Sequence, residues 1–264
     1  MYKGVIHTHS TYSDGEYTLA ELREVSLSAG CSFVCMSDHA EAFDAAKLKD
    51  YVAECAALSD EQFQFIAGLE FECEQRMHVL GYGAPALVNS QDPQEVIRHI
   101  RRNNGIAVIA HPKDEFFPWI ESFTELPDGI ETWNSKYDSR YAPRTQTFRL
   151  LARLQQRRPE MRAFFGVDLH WRQQYRGLFN EVEAASNRCD DVLAAFARGA
   201  YRGVKDELTL PSSGVLTAAQ VAMFDAQHAK SDRMRQWVKR IKVVVKGSGL
   251  TVPAPLKAQL RRIF

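Results

Sequence analysis

Cysteine is scarce in this chain. The five present, Cys31, Cys35, Cys55, Cys73 and Cys189, are odd in number and form no CxxC pair. That excludes a disulfide framework and fits reduced thiols in a cytoplasmic protein. No charged, apolar and small-residue leader opens the chain, and no apolar run is long enough to cross a membrane. Internal repeats and low-complexity tracts are also missing. Net charge is absent, with 33 lysines and arginines against 33 aspartates and glutamates. Apolar residues at 45% and charged residues at 25% are ordinary for a globular protein, which excludes disordered and fibrous classes. What remains is a soluble intracellular chain of 264 residues, long enough for one large α/β barrel or two small domains.

The neutrality hides an asymmetry. Residues 212–264 hold ten lysines and arginines against only Asp225 and Asp232. The balancing acidic excess lies upstream, where carboxylates can serve as metal ligands. Residues 208–214, with Pro211 and two serines, read as a linker between a body at 1–211 and a basic helical extension at 212–264. Within the extension a helix is expected at 218–246, with Val221, Phe224, Met234, Trp237, Ile241 and Val244 on one face. Residues 247–255 break it, and a short basic helix closes the chain. The basic surface of this extension suits an acidic partner or nucleic acid.

Through the body, short β-branched and aromatic runs alternate with amphipathic stretches. Strands are expected at 2–6, 32–37, 63–71, 78–82, 106–110, 129–132, 163–167 and 200–204. One helix carries Leu19, Leu22, Val25 and Leu27 up to Gly30, opened by a capping box from Thr18 to Glu21. A second carries Val96, Ile97 and Ile100 up to Gly105. This alternation predicts an α/β protein with a parallel sheet, and seven or eight strands favour closure into a barrel.

The chemistry-bearing residues sit at the strand ends. His7 and His9 alternate along the end of the first strand, so both imidazoles point one way. Neutral imidazole is the commonest protein ligand for transition metals, and a nearby carboxylate suits a hydrolytic ion. An HxH pair alone carries little weight. Here Asp14 follows in Ser13-Asp14-Gly15, and Asp38-His39 follows the second strand. Glu70 ends the third, His78 starts the fourth, His111-Pro112 closes the fifth and Asp168-Leu169-His170 closes the seventh. In a barrel those C-terminal ends converge on one mouth. A lone buried histidine is more often hydrogen-bonded core than a ligand. Yet six of the eight histidines lie at strand ends, while His99 and His228 fall on charged helices and read as surface.

The strings HTHSTYSDG, SDH, GLEFE, MHVLGYG, AHP and GVDLH, in this order, resemble the polymerase-and-histidinol-phosphatase (PHP) family of metal-dependent phosphoesterases. The resemblance spans residues 1–204. It implies a distorted (β/α)7 barrel of TIM-like form with a two- or three-metal centre in its mouth, followed here by the helical extension. The ligand set it implies is His7, His9, Asp14, His39, Glu70, His78, His111, Asp168 and His170, with every position filled. Among these, Asp14, Glu70, His111 and Asp168 are the expected catalytic residues.

Nine nitrogen and oxygen ligands exceed the needs of one ion, since zinc takes about four and manganese or iron about six. Two or three divalent ions are therefore expected, as manganese, iron or zinc, with magnesium as a further candidate. Glu70 is the natural bridging carboxylate. A hydroxide held between two metals can attack a phosphate ester at neutral pH without a protein nucleophile. Lys113, Lys136, Arg140, Arg144 and Arg172, all near strand ends, are candidates for contacting the phosphate. Trp133, Tyr137 and Trp171 could wall a ring-bearing substrate or simply pack the rim.

The expected function is hydrolysis of a phosphate monoester such as histidinol phosphate, a nucleotide or a similar small molecule. A nuclease or phosphodiesterase acting on oligonucleotides is the alternative, with the basic extension as its track. A non-catalytic module stabilised by metal would need its site closed to water, which nine ligands around a barrel mouth oppose. An amidohydrolase also opens on HxH, but the SDG, SDH and GLEFE strings argue against it.

Overall fold

The computed structural model describes residues 1–230 and Arg233. They fall into two units divided between Thr217 and Ala218. In the second unit, residues 218–230 are helical. Met234, Trp237, Ile241 and Val244, the break at 247–255 and the terminal basic helix lie outside the described residues. No helix among the described residues is long and apolar enough to cross a membrane.

The first unit alternates strands and helices in the order β1 (Tyr2–Thr8), α1 (Leu19–Ser28), β2 (Phe33–Met36), β3 (Asp38–His39), α2 (Ala45–Ala57), β4 (Gln64–Ile66), β5 (Gly68–Glu72) and β6 (His78–Tyr82). There follow α3 (Pro93–Arg102), β7 (Ile106–Ala110), α4 (Phe117–Ser122), β8 (Gly129–Asn134), α5 (Thr145–Gln155) and β9 (Arg162–Gly166). The unit ends with β10 (Phe179–Val182), α6 (Cys189–Arg198), β11 (Tyr201–Lys205) and β12 (Leu208–Pro211). The helix starts follow from local chemistry. Thr18 caps α1 with its hydroxyl while Glu21 reaches back to the Thr18 amide, the expected box. Asp92 caps α3 and Pro93 occupies its first turn, where no amide is needed.

The α/β class stands, but the ladders form two six-stranded sheets rather than one closed parallel barrel. Their orders are β12-β11-β10-β1-β2-β4 and β3-β5-β6-β7-β8-β9. Five of the ten strand pairings are antiparallel: β1/β10, β10/β11, β11/β12, β5/β6 and β6/β7. The expected third strand at 63–71 breaks at Ala67 into β4 and β5, one in each sheet. Ser37 separates β2 from β3 in the same way. At the far side, amides of Val167 and Leu169 donate to the Ile6 and His7 carbonyls, and His9 donates to the Leu169 carbonyl. The segment after β9 thus runs beside the end of β1, bringing the two sheets together at the rim that carries the histidines.

Two local expectations need correction. Residues 208–211 are not linker but an edge strand, pairing from Arg202↔Pro211 to Lys205↔Leu208, and the Ser212 carbonyl accepts the Ala163 amide. Proline is tolerated there because only one side of an edge strand needs its amides. The strand β10 is absent from the expected set. Its FNEV sequence buries only alternate residues and gives no continuous apolar run. The core is built from both sheets and the inner helix faces: Leu19 and Leu22 on α1, Val96, Ile97 and Ile100 on α3, and Phe148, Leu150, Leu151 and Leu154 on α5.

Candidate metal centre

His7 enters the site through a β-bulge. The β1/β2 register runs Ile6↔Cys35 and then Thr8↔Met36, so His7 is the extra residue, held at φ 62°. His111 (φ 27°) and Asp168 (φ 51°) also occupy the left-handed region. For non-glycine residues such backbones cost on the order of 1–3 kcal/mol each and concentrate where function requires them. All three belong to the expected ligand set. The loop after β1 is tied by Asp38, whose carboxylate accepts the Ser10 amide and hydroxyl and the Ser13 hydroxyl. Gly15 is required in this loop because a Cβ there would run into the His9 carbonyl. Asp38 of the SDH string is therefore a clamp that presents Asp14.

All nine expected ligands come together. His78 joins them although it starts its strand, because β6 runs antiparallel to β5 and pairs His78 with Glu72 at the shared rim. Three overlapping groups have donor atoms within 4.8 Å of one another: His9, Asp14, His39 and His170; His7, His9 and Asp168; and His7, Glu70 and His111. Glu70 spans them. Its Oε1 lies 2.8 Å from His78 Nδ1, 3.3 Å from His7 Nε2 and 3.4 Å from His111 Nε2. Its Oε2 lies 3.3 Å from His9 Nε2 and 3.5 Å from His39 Nδ1. Asp168 Oδ1 approaches His7, His9 and His170 at 3.7, 3.8 and 3.1 Å. Asp14 stands at the solvent side, 3.3 Å from His170 and 3.6 Å from His9 and His39, with its side chain 55% exposed.

The donor set fits divalent cations. His7 Nε2 and both ring nitrogens of His9 are buried without a hydrogen-bond partner of good geometry. Orphaned buried imidazole nitrogens are costly unless something accepts or coordinates them. The electrostatics point the same way. Burial opposes charge on His7, but Glu131, Asp168 and Glu70 outweigh it and raise its pKa well above the usual 6.5. Burial likewise opposes ionisation of Glu70 and Asp168, yet the surrounding imidazoles hold both well below the carboxylate range. His9, with weaker anionic support against burial, falls to about 4 and stays neutral. The carboxylates of Glu70, Glu131 and Asp168, gathered among these imidazoles, are the negative charge that a bound cation would balance.

One participant escapes the sequence motifs. Glu131, fully buried on β8, pairs through Oε1 with His7 Nδ1 at 2.8 Å. Its Oε2 accepts the His111 amide at 2.9 Å and the Asn134 amide group at 3.0 Å. It orients one ligand through the ring and another through the backbone, as outer carboxylates do in metal sites. A carboxylate between the β-branched residues of the strand GIETWN was its only signal in the sequence.

The expected phosphate-contacting cations divide. Lys136 reaches the cluster, with Nζ 3.0 Å from Asp168 Oδ1 and 3.2 Å from His170 Nδ1. Arg144 is committed elsewhere: Nε donates to Asp138 at 2.7 Å, and its terminal nitrogens donate to Asp114 and the Pro112 carbonyl at 2.6 Å. Arg172 pairs with Glu21 and lies over Tyr17. Arg140 is held by Tyr141, and Lys113 lies beside Glu115 and Phe116. Of the aromatic residues, Trp133 is fully buried and its indole donates to the Ser139 carbonyl, so it is packing. Tyr137 and Trp171 are exposed at the rim. His99 sits half-buried on α3 facing the Ala86 carbonyl, and His228 lies in the second unit.

Comparison with known proteins adds a family. A family model described as the PHP domain matches residues 6–248. The DNA polymerase/3′-5′ exonuclease PolX of Bacillus subtilis (strain 168) is 32% identical over 78 residues, which cover 26% of this chain and 14% of that protein. A two-domain crystal structure from Bacteroides vulgatus ATCC 8482, containing a predicted PHP-like metal-dependent phosphoesterase, superposes with a TM-score of 0.55 at 13% identity, over 79% of this chain and 66% of that one. A protein of Bifidobacterium adolescentis ATCC 15703, provisionally assigned as a metal-dependent phosphoesterase, gives a TM-score of 0.49 at 16% identity over 74% and 96%. At 13% identity the likeness to the Bacteroides vulgatus structure speaks to the fold alone.

Proposed function

The chain belongs to the PHP-domain family, and from that premise we propose that it is a metal-dependent hydrolase of phosphate monoesters, acting on a small phosphorylated molecule. One observation carries the reading: nine donor residues scattered from His7 to His170 meet in one solvent-open cluster, in which three buried imidazole nitrogens, His7 Nε2 and both of His9, lack a well-aligned hydrogen-bond partner. His9, Asp14, His39 and His170 would hold one ion, and His7, Glu70, His111 and Asp168, with His78 behind Glu70, would hold a second. His9 and Asp168 stand between the groups, where a third ion would share them. Divalent manganese, iron, zinc or magnesium bound there supplies Lewis-acid charge beside the phosphoryl group and lowers the pKa of water.

The protein's own residues supply the rest. Glu70 and Asp168 set the anionic floor of the site, and Glu131 fixes the ring of His7 and the backbone of His111. Asp38 holds the loop that carries Asp14. Lys136, beside Asp168 and His170, is the cation best placed to meet a phosphate oxygen and offset its charge. Exposure of Asp14 argues against a sealed structural site, because a ligand there is accessible to substrate.

The second reading is phosphodiester hydrolysis on oligonucleotides, supported by the 78-residue likeness to PolX. A panel of phosphomonoesters and phosphodiesters with the manganese-reconstituted protein separates the two. Faster turnover of monoesters supports the proposal. Turnover of diesters alone moves the assignment to a nuclease, and metal binding without turnover of either class refutes an esterase.

A further inference from the structure

The β8/β9 register steps from Glu131↔Phe164 to Trp133↔Phe165, which leaves Thr132 as an extra residue in β8. In a regular strand positions 131 and 134 face opposite sides, because side chains alternate with period two. One bulged residue shifts that parity and brings Glu131 and Asn134 to the same side, toward the metal centre.

Asn134 is fully buried, and its side-chain amide is saturated. Nδ2 donates to Glu131 Oε2 at 3.0 Å and to Asp168 Oδ2 at 3.3 Å. Oδ1 accepts the backbone amides of Lys136 and Tyr137, both at 3.1 Å. A carboxamide has two donor hydrogens and two acceptor lone pairs, and here all four are taken. Reversing the group would aim its oxygen at two carboxylates and its hydrogens at two N–H donors, so one orientation is fixed.

Two consequences meet at Asp168. Its Oδ2 is held back by Asn134, while Oδ1 faces His7, His9 and His170. The same asparagine folds the turn that carries Lys136, whose Nζ lies 3.0 Å from Oδ1. Other contacts secure the surrounding backbone without the Asn134 side chain. Asp138 Oδ2 accepts the Asn134 backbone amide at 2.9 Å, and Gln174 Nε2 donates to the Asp168 carbonyl at 2.6 Å. Removing the side chain should therefore release the carboxylate and the lysine rather than the strand.

We propose that Asn134 is a positioning residue that locks the Asp168 carboxylate and the Lys136 turn together at the metal centre. The part played by Lys136 rests on the phosphoesterase reading, whereas the hold on Asp168 does not.

The test titrates manganese calorimetrically into the wild type, Asn134→Ala, Lys136→Met and the doubly substituted protein. Inorganic phosphate is then titrated into each manganese-loaded form. Asn134→Ala should weaken manganese by about tenfold or more, the usual loss when a group that orients a metal ligand is removed. Lys136→Met should weaken phosphate by about tenfold and leave manganese no weaker than in the wild type. In the double variant the phosphate loss should be less than the two single losses combined, because both act through one ammonium. Wild-type manganese affinity in a folded Asn134→Ala protein, even one that melts earlier, makes Asn134 a structural residue and overturns the proposal. Fully additive phosphate losses overturn it too. A wild type that binds manganese but no phosphate removes the esterase reading, and a manganese loss in Asn134→Ala still upholds the hold on Asp168. Should Asn134→Ala fail to fold, the wild type decides. With isotope-labelled asparagine, the Asn134 side-chain amide protons should exchange more slowly than those of exposed Asn89 and shift when diamagnetic zinc binds. Amide signals that zinc leaves unmoved overturn the proposal.

Discussion

Glu70 directs its two oxygens to different sets of imidazoles, so removing the charge of its carboxylate disturbs both groups at once. Glu70→Gln keeps the volume and removes the charge that neutralises adjacent cations. Turnover of a chromogenic phosphomonoester should fall by ~10²-fold or more, since even outer residues of metal sites typically cost 10–100-fold. Metal content should fall with it while circular dichroism stays native. His99→Gln, away from the site on α3, is the control and should stay close to wild type. A second consequence follows from the charge on His7. In the metal-free protein its surrounding carboxylates keep it protonated above the ordinary histidine range, so a metal must displace that proton. Binding should release protons, and apparent affinity should weaken by about tenfold for each unit the pH falls below the raised pKa. His9, already neutral, adds no such penalty near neutrality. Manganese isotherms at several pH values, with proton release measured in buffers of different ionisation enthalpy, test this. Affinity independent of pH would mean that His7 is not a ligand.

At the scale of elements, the strand ends and the imidazoles they carry were legible because period-two alternation and apolar runs are local properties. The bulges at His7 and at Thr132 were not, since a bulge is defined by the partner strand and leaves no local mark. Glu131 was hidden for the same reason: its role depends on His7 and His111, far away in sequence. The edge strand β12 was masked by Pro211 and by Ser212 and Ser213 after it, which look like linker chemistry until the neighbour β11 is known. Gly166 at the end of β9 shows how tightly such elements fit. A Cβ on it would overlap Glu131 Oε1, lie 2.8 Å from Glu131 Cδ and sit 3.1 Å from His7 Cβ. Gly166→Ala must therefore push Glu131 off His7. We expect a loss of roughly 1–3 kcal/mol in stability from overpacking and a drop in metal affinity of roughly 10–100-fold from the disturbed orienting carboxylate. Denaturant melts and metal titration would measure the two separately. Wild-type metal affinity in a folded Gly166→Ala protein would show that Glu131 does not orient the site.

Across the whole molecule, the centre is assembled from β1 and its following loop, β3, β5, β6 and the segments after β7 and β9. An unfolded chain cannot hold His7 beside Asp168 and His170, so ions of this site bind the native state almost exclusively. Binding of that kind stabilises by mass action, about 2.7 kcal/mol for each site at a free metal concentration 100 times its Kd. For a domain of this size, 1 kcal/mol shifts the melting temperature by roughly 2–4 °C. Removing the metal should therefore lower the melting temperature by about 5–10 °C for one such site, and by more if several are occupied. The clustered anions explain why the loss should be incompletely recovered by salt: Glu70, Glu131 and Asp168 are buried, where screening is weak. Elemental analysis of the purified protein should find two or three ions per chain, and dialysis against a chelator should remove them along with the stabilisation. Readdition of manganese should restore both. A protein that carries one ion or none, or that melts at the same temperature with and without metal, would show that the nine residues do not act as a joint metal centre.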